Sequence, residues 1–463
     1  MKSVPLTAFW EITKTVRKVK NLPDDFYIKG ISTDSRKTRE GELFVALRGE
    51  KFDGHQFLKN ALEKGACGVV ADEEGEQAFA SPRDPMLIVT NTLDFLMELA
   101  GWYRSLFTIP VIGITGSSGK TTAKEMLASV LATKFRVVRT EGNENNFIGV
   151  PLTLFQLDSD TEIAVVEMGT NHPGEIARLS GIVNPTHAAI TNIGSGHIGY
   201  FGSKENIFKE KRALFDGVGK SGVIFINGED EFLRSYSRED LVIRTFGFGN
   251  GADYTAENLS MDELGKMSFR VNGGPSIQLQ VPGRHHVLNG LLAAAVGLEM
   301  GISASDVRTG MEKVRPVRQR MEVFRENDLL IINDAYNANP ESVRAAIGFL
   351  CELPLQNGAR RFAVIGDMLE LGELSENEHK QVGQFLKDKS VDFVYCYGEK
   401  SRLIGEVLSN DANWPGKVRW FRTHEEIAAA ISDNAAAGDA LLIKGSRGMA
   451  MEKVLADLHI RSN

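Results

Sequence analysis

The stretch Val111-Ile-Gly-Ile-Thr-Gly-Ser-Ser-Gly-Lys-Thr-Thr122 limits what this chain can become more than any other. Its apolar opening, bracketed by Pro110 and the glycines, predicts a buried parallel strand. Ala123, Met126, Leu127, Val130 and Leu131 then recur at helical spacing and predict a helix with one buried face. A strand, a small-residue loop and a helix N-terminus in that order make an anion cradle, because loop N–H groups and the positive helix end face one point. Lys120 adds a cation there, and Thr121 offers a hydroxyl suited to Mg²⁺. The strict pattern G-x-x-x-x-G-K-[ST] is missed, since position 114 is Ile. The shorter Thr115-Gly-Ser-Ser-Gly-Lys-Thr-Thr122 still reads as a nucleotide triphosphate site, with a plain glycine turn capping a helix as the alternative.

A chain of 463 residues has room for about two to four domains. Hydrophobic content of 42% and charged content of 25% place it among globular proteins. A net charge of −8 argues against general nucleic-acid binding but leaves room for local basic pockets. Cys67, Cys351 and Cys396 are odd in number and far apart, which suits a reducing cytosol and offers neither disulfides nor a zinc site. Residues 1–20 mix charge throughout, unlike a signal peptide, and no run of about 18 apolar residues predicts a membrane span. A cytoplasmic monomer is expected.

The strand–helix rhythm divides the chain into three α/β segments. Residues 1–84 read as a small domain, with Asp72–Pro85 as a linker because of its acidic run, Ser81-Pro82 and Pro85. Asp34, Ser35 and Arg36 either close a turn or bind an anionic ligand such as a nucleotide diphosphate. Residues 85–314 centre on the phosphate loop. There Asn143, Asn145 and Asn146 lie in an amide-rich loop, and the strand Glu162–Gly169 delivers Glu167 to its carboxyl end. His187–Ile193 delivers His197 to the same edge, where open α/β sheets collect ligands. Lys209, Lys211 and Arg212 by themselves read as a solvated basic face. The helix after Pro282 is apolar nearly all round and carries Asn289, suited to a core partner or a base edge. Residues 315–463 alternate strand and helix, predicting a doubly wound parallel sheet. Ser375/Glu378 and Thr423/Glu426 predict capping boxes. Polar clusters at Asn333–Pro340, Gly366–Glu373 and Lys444–Arg447 predict a second ligand-facing surface.

These motifs, taken in order, resemble the Mur ligase family, ATP-dependent amide-forming enzymes of peptidoglycan precursor synthesis. The shared features are Thr-Gly-x-x-Gly-Lys-Thr at 115–121, the strand-end Glu167, the downstream His197 and the Asn-bearing helix. Gly142–Asn146, Ile148–Thr153, Asp334–Pro340, Gly366–Glu373 and Lys444–Arg447 are most similar to the member that joins D-alanyl-D-alanine to UDP-N-acetylmuramoyl-tripeptide. The resemblance implies a small N-terminal UDP-substrate domain, a central ATPase domain of P-loop type built on a parallel sheet, and a C-terminal Rossmann-like domain. It also implies a ligase of cell wall biogenesis, and hence of cell shape and division, with ATP and Mg²⁺ as cofactors. By position it assigns Ser32, Asp34, Ser35, Arg36, Asn143, Asn145 and Asn146 to the UDP substrate. Thr115, Gly116, Ser117, Ser118, Gly119, Lys120, Thr121, Thr122, Asn289, Arg320, Asp334, Tyr336 and Asn337 fall to ATP. Thr121, Glu167, His197 and a carbamylated Lys211 fall to the metal, with Lys120, Lys211 and His197 catalytic. Lys444, Ser446 and Arg447 fall to the D-alanyl-D-alanine side. One departure is His285-His286, where the family usually has His-Asn. A folylpolyglutamate synthetase shares the loop and central domain but lacks the first domain, and a nucleotide-gated binding protein would need no second substrate surface.

Overall fold

The computed structural model describes the chain up to residue 460, apart from residues 7, 8, 10–12, 24, 25, 50, 51, 80–82 and 250. Three large sheets follow one another along the sequence, of five, nine and six strands.

The first sheet runs in the order Val16–Lys20, Met86–Val89, Gly68–Asp72, Glu42–Val45, Gly30–Ser32. Met86–Val89 pairs in parallel with Gly68–Asp72, so the N-terminal sheet extends past the boundary expected at residue 84. The expected linker is also partly structured, for Glu73–Phe79 is a helix. Asp72 accepts from Gly75 N at 2.8 Å, and Glu73, Glu74 and Glu76 crowd the positive first turn. An acidic run was thus a helix start rather than a spacer. Ser81-Pro82 lies outside the described residues.

The central sheet places Val111–Thr115 between Ile163–Glu167 and His187–Ile190, all parallel. Beyond its parallel strands the sheet ends in an antiparallel meander of Tyr254–Met261, Lys266–Val271 and Ser276–Pro282, whose last two strands form the hairpin that Asn272-Gly-Gly274 between alternating runs predicts. The loop helix Lys120–Leu131 buries Met126, Leu127, Val130 and Leu131 completely. They pack in one cluster with Leu291, Leu292 and Val296 of the helix His285–Glu299. Burial of each large side chain stabilises by about 1.5–3 kcal/mol, so this pair of helices holds the phosphate loop rigidly.

The C-terminal sheet runs Glu322–Glu326, Leu329–Asp334, Ala440–Lys444, Arg361–Gly366, Phe393–Tyr397, Lys417–Phe421, parallel except for its first strand. Asp334 and Lys444 are register partners at the carboxyl ends of adjacent strands. The Thr423/Glu426 capping box forms, but that at Ser375/Glu378 does not. Ser375 is already the first helical residue there, and its carbonyl is held by His379 Nδ1 at 2.6 Å. The helix Pro340–Glu352 has a box built from Asn339 and Ser342 instead. No described helix is long and apolar enough to cross a membrane.

Candidate active site

A cavity of about 710 Å³ opens between the carboxyl edge of the central sheet and the C-terminal domain. Its floor is the phosphate loop. Gly116 and Gly119 take φ of 152° and 79°, and a Cβ on Gly116 would stand 1.9 Å from Thr191 Oγ1, so glycine is required there. Ser117 N donates to Asn192 O, and Ser118 N to Asn192 Oδ1, both at 3.0 Å. Lys120 Nζ donates to Gly116 O at 2.8 Å, and burial lowers its pKa against the pull of Glu167.

Glu167 Oε1 accepts from Asn145 Nδ2 at 2.7 Å and from Thr121 Oγ1 at 3.2 Å. Its Oε2 is buried and makes no hydrogen bond among the described residues, with Lys124 Nζ 3.9 Å away. Lys124 is wholly buried and was not expected, although it follows Lys120 by one helical turn. Its ammonium also donates to Thr140 O and Gly142 O, at 2.7 and 2.8 Å, which fixes the amide-rich loop. Asn143, Asn145 and Asn146 line the cavity as a result.

His197 lines the same cavity from a left-handed backbone, φ 62°. Its Nδ1 lies 2.8 Å from Glu370 Oε2, close enough for an ion pair but not aligned as a hydrogen bond. Lys211 stands on the helix Lys204–Asp216 and is buried, so it is not part of a solvated basic face. Burial first, and then the neighbouring Lys120, push its pKa well below the ordinary lysine value. Among the described residues no three His, Cys, Asp or Glu side chains gather as a ready metal cluster.

The opposite wall comes from the C-terminal domain. Lys444 pairs with Asp334 Oδ2 and donates to Asn337 O at 3.0 Å, while Asp334 Oδ1 accepts from Met321 N. Arg320 stacks 3.9 Å over Tyr336, with its Nε unpartnered among the described residues. His286 is buried against Asn289, whose Nδ2 lies 3.0 Å from Nδ1 of the ring, and the ring Nε2 is unpartnered among the described residues. Burial lowers the pKa of His285 to about 4 and pushes that of His286 well below the ordinary imidazole value, so burial favours the neutral form of both rings.

Several expected residues stand elsewhere. Thr115 and Gly116 underlie the loop without lining the cavity, Thr115 Oγ1 donating to Met168 O. Ser446 is buried between Ala338 O and Leu369 N, and exposed Arg447 reaches Gln319 and Glu452. Ser32, Asp34, Ser35 and Arg36 do not line this cavity. Asp34 accepts from Arg36 N at 3.0 Å and is gripped by its guanidinium, which holds the carboxyl down to about 2. Asn192 and Glu341 were missed, because only sheet neighbours and domain contacts bring them to the site.

Residues 114–297 match the Mur ligase middle domain, 319–447 the glutamate ligase domain of Mur ligases, and 27–104 the Mur ligase family catalytic domain. The UDP-N-acetylmuramoyl-tripeptide–D-alanyl-D-alanine ligase of Bacillus subtilis is 38% identical over 438 residues, covering 93% of each chain. The chain belongs to the Mur ligase family. Among solved Mur ligases, the crystal structure of MurF from Acinetobacter baumannii is 33% identical, with a TM-score of 0.83 over 93% of each chain. MurF from Thermotoga maritima, solved in complex with ADP, is 29% identical with a TM-score of 0.81, covering 92% of this chain and 96% of that one.

Proposed function

We propose that this Mur ligase joins D-alanyl-D-alanine to UDP-N-acetylmuramoyl-tripeptide in the cytoplasm, with cleavage of ATP to ADP and phosphate, as a step of peptidoglycan precursor synthesis. The observation that carries the reading is the single cavity in which Lys120, Thr121 and Glu167 of one domain face Arg320, Tyr336 and Lys444 of another. That arrangement suits a reaction whose three reactants must meet away from water.

A carboxylate does not acylate an amine directly. ATP first phosphorylates the peptide carboxylate, and the dipeptide amine attacks the acyl phosphate and releases phosphate. Lys120 neutralises charge on the transferring phosphoryl group. Asn289 and His286 offer amide and imidazole groups to the base, and Arg320, Asp334, Tyr336 and Asn337 close over the nucleotide. The Asn143–Asn146 loop and the Ser32–Arg36 turn take the UDP substrate at its two ends. Lys444, Ser446 and Arg447 support the D-alanyl-D-alanine side.

The residues present fit Mg²⁺. A buried, unpartnered carboxylate oxygen of Glu167 beside the Thr121 hydroxyl offers hard oxygens of the kind Mg²⁺ takes together with substrate phosphates. Thr121, Glu167, His197 and carbamylated Lys211 would hold it. When bound, the metal supplies Lewis-acid neutralisation of phosphate oxygens. Burial beside Lys120 disfavours the Lys211 ammonium and so favours the free amine that adds CO₂, and the carbamate puts a metal-binding anion where a cation is poorly tolerated.

Purified protein given ATP, Mg²⁺, UDP-N-acetylmuramoyl-tripeptide and D-alanyl-D-alanine should yield the UDP-pentapeptide by mass spectrometry. Absence of that product from folded protein contradicts the reading.

A further inference from the structure

The loop Gly194–His197 is held from two sides. Ser117 Oγ, in the phosphate loop, donates to Gly194 O at 3.1 Å and accepts from Gly194 N at 2.8 Å. From the C-terminal domain, Glu341 accepts from both Ser195 N and Ser195 Oγ at 2.9 Å. Lys204 Nζ of the central domain lies 2.9 Å from Glu341 Oε1. A Cβ at Gly194 would approach the Glu341 carboxyl to 3.1 Å, so glycine lets the two elements close to this spacing. Glu341 itself is fixed in the first turn of a helix started by the Asn339–Ser342 capping box. Burial alone would raise its pKa, but Lys204 and the Ser195 N–H outweigh it and keep the carboxylate charged. Just beyond, Gly199 N donates to Glu370 O at 3.0 Å, so the second grip lies along the same seam.

We infer that Glu341 is a positioning residue that latches the C-terminal domain onto the central one by gripping Ser195 and Lys204. The inference rests on the ligation reaction proposed above and adds to it a residue that sets the closed geometry. Its contacts run through one loop to Ser117, so the latch and the phosphate loop share a rigid connection. Release of the latch lets the wall of Arg320, Tyr336 and Lys444 swing away from Lys120. Charge-assisted hydrogen bonds across the seam are suited to this, being strong when formed and readily hydrated when the domains part.

The test compares Glu341→Ala and Lys204→Ala with Glu376→Gln, which removes an exposed ion pair to Lys400 inside the C-terminal domain. Both latch variants should lose about 10- to 100-fold in kcat, since misplacement by an ångström costs that much. Affinity for a non-hydrolysable ATP analogue should hold, and the radius of gyration from small-angle scattering should increase. The double variant should be no worse than either single one, and Glu376→Gln should match the wild type. Unchanged kcat and compactness in folded Glu341→Ala would overturn the inference. So would a loss of analogue affinity equal to the loss of kcat, which would make Glu341 a nucleotide contact. If Glu341→Ala fails to fold, Lys204→Ala decides alone. If the wild type forms no product, the proposed function falls while the scattering comparison still decides the latch.

Discussion

Two lysines of opposite character stand near one another, Lys120 lining the cavity and Lys211 behind its lining. Lys120 must stay charged, and its ammonium is now parked on Gly116 O, where an incoming phosphate can displace that carbonyl. Lys120→Ala should lower ligation by about 10²-fold or more while leaving the fold intact, because it removes the cation at the transferring group. Near-normal turnover in a coupled ADP assay would remove Lys120 from the chemistry. Lys211 is instead buried where a cation is poorly tolerated. Lys211→Ala should lose most activity, and a short carboxylic acid diffusing into the gap should restore part of it. Rescue by a small amine instead, or an unmodified Lys211 in the electron density of a fully active, substrate-bound enzyme, would contradict carbamylation. The gathering of Lys120, Thr121, Glu167 and His197 at one cavity was legible in the sequence, because each stands at a strand end or loop of recognisable pattern. Lys124 and Asn192 were not, since their partners lie far away along the chain.

The phosphate loop depends on the helix that follows it. Leu127 is fully buried in the cluster shared with Leu291 and Leu292, so Leu127→Ala should cost about 2–5 kcal/mol. Urea unfolding should show a lower midpoint at unchanged slope, and an unmoved midpoint would mean the contact carries no weight. His187 opens the strand that leads to His197. Burial lowers its pKa from 6.5 to about 4, with Glu299 opposing. The folded chain refuses a proton that the unfolded chain takes up, so this contribution is intact above the unfolded value and is lost as pH falls from 6.5 toward 4. His187→Gln should therefore show a smaller fall in melting temperature between pH ~7.5 and ~5 than the wild type. An equal fall in both would show that His187 is not a source of the acid sensitivity. Helix and strand positions were readable from periodicity. The helix at Glu73–Phe79 was not, because an acidic run looks alike as a solvated spacer and as a dipole-stabilised first turn.

Across the whole molecule, the order of three α/β units was legible, whereas their joints were not. Met86–Val89 returns to the first sheet, and nothing local in an apolar tetrapeptide says which sheet it joins. The seam of Glu341 and Glu370 against Ser195, Lys204 and Gly199 is likewise a product of tertiary placement. The proposed ligation makes ATP cleavage depend on the central and C-terminal domains that meet along this seam. Phosphate release should therefore be measured with ATP and UDP-N-acetylmuramoyl-tripeptide, with and without D-alanyl-D-alanine. Steady release that requires the dipeptide, with one phosphate for each amide bond formed, is the expected result. Equal steady release without the dipeptide, or with ATP alone, would contradict a ligase and leave a simple nucleotide hydrolase.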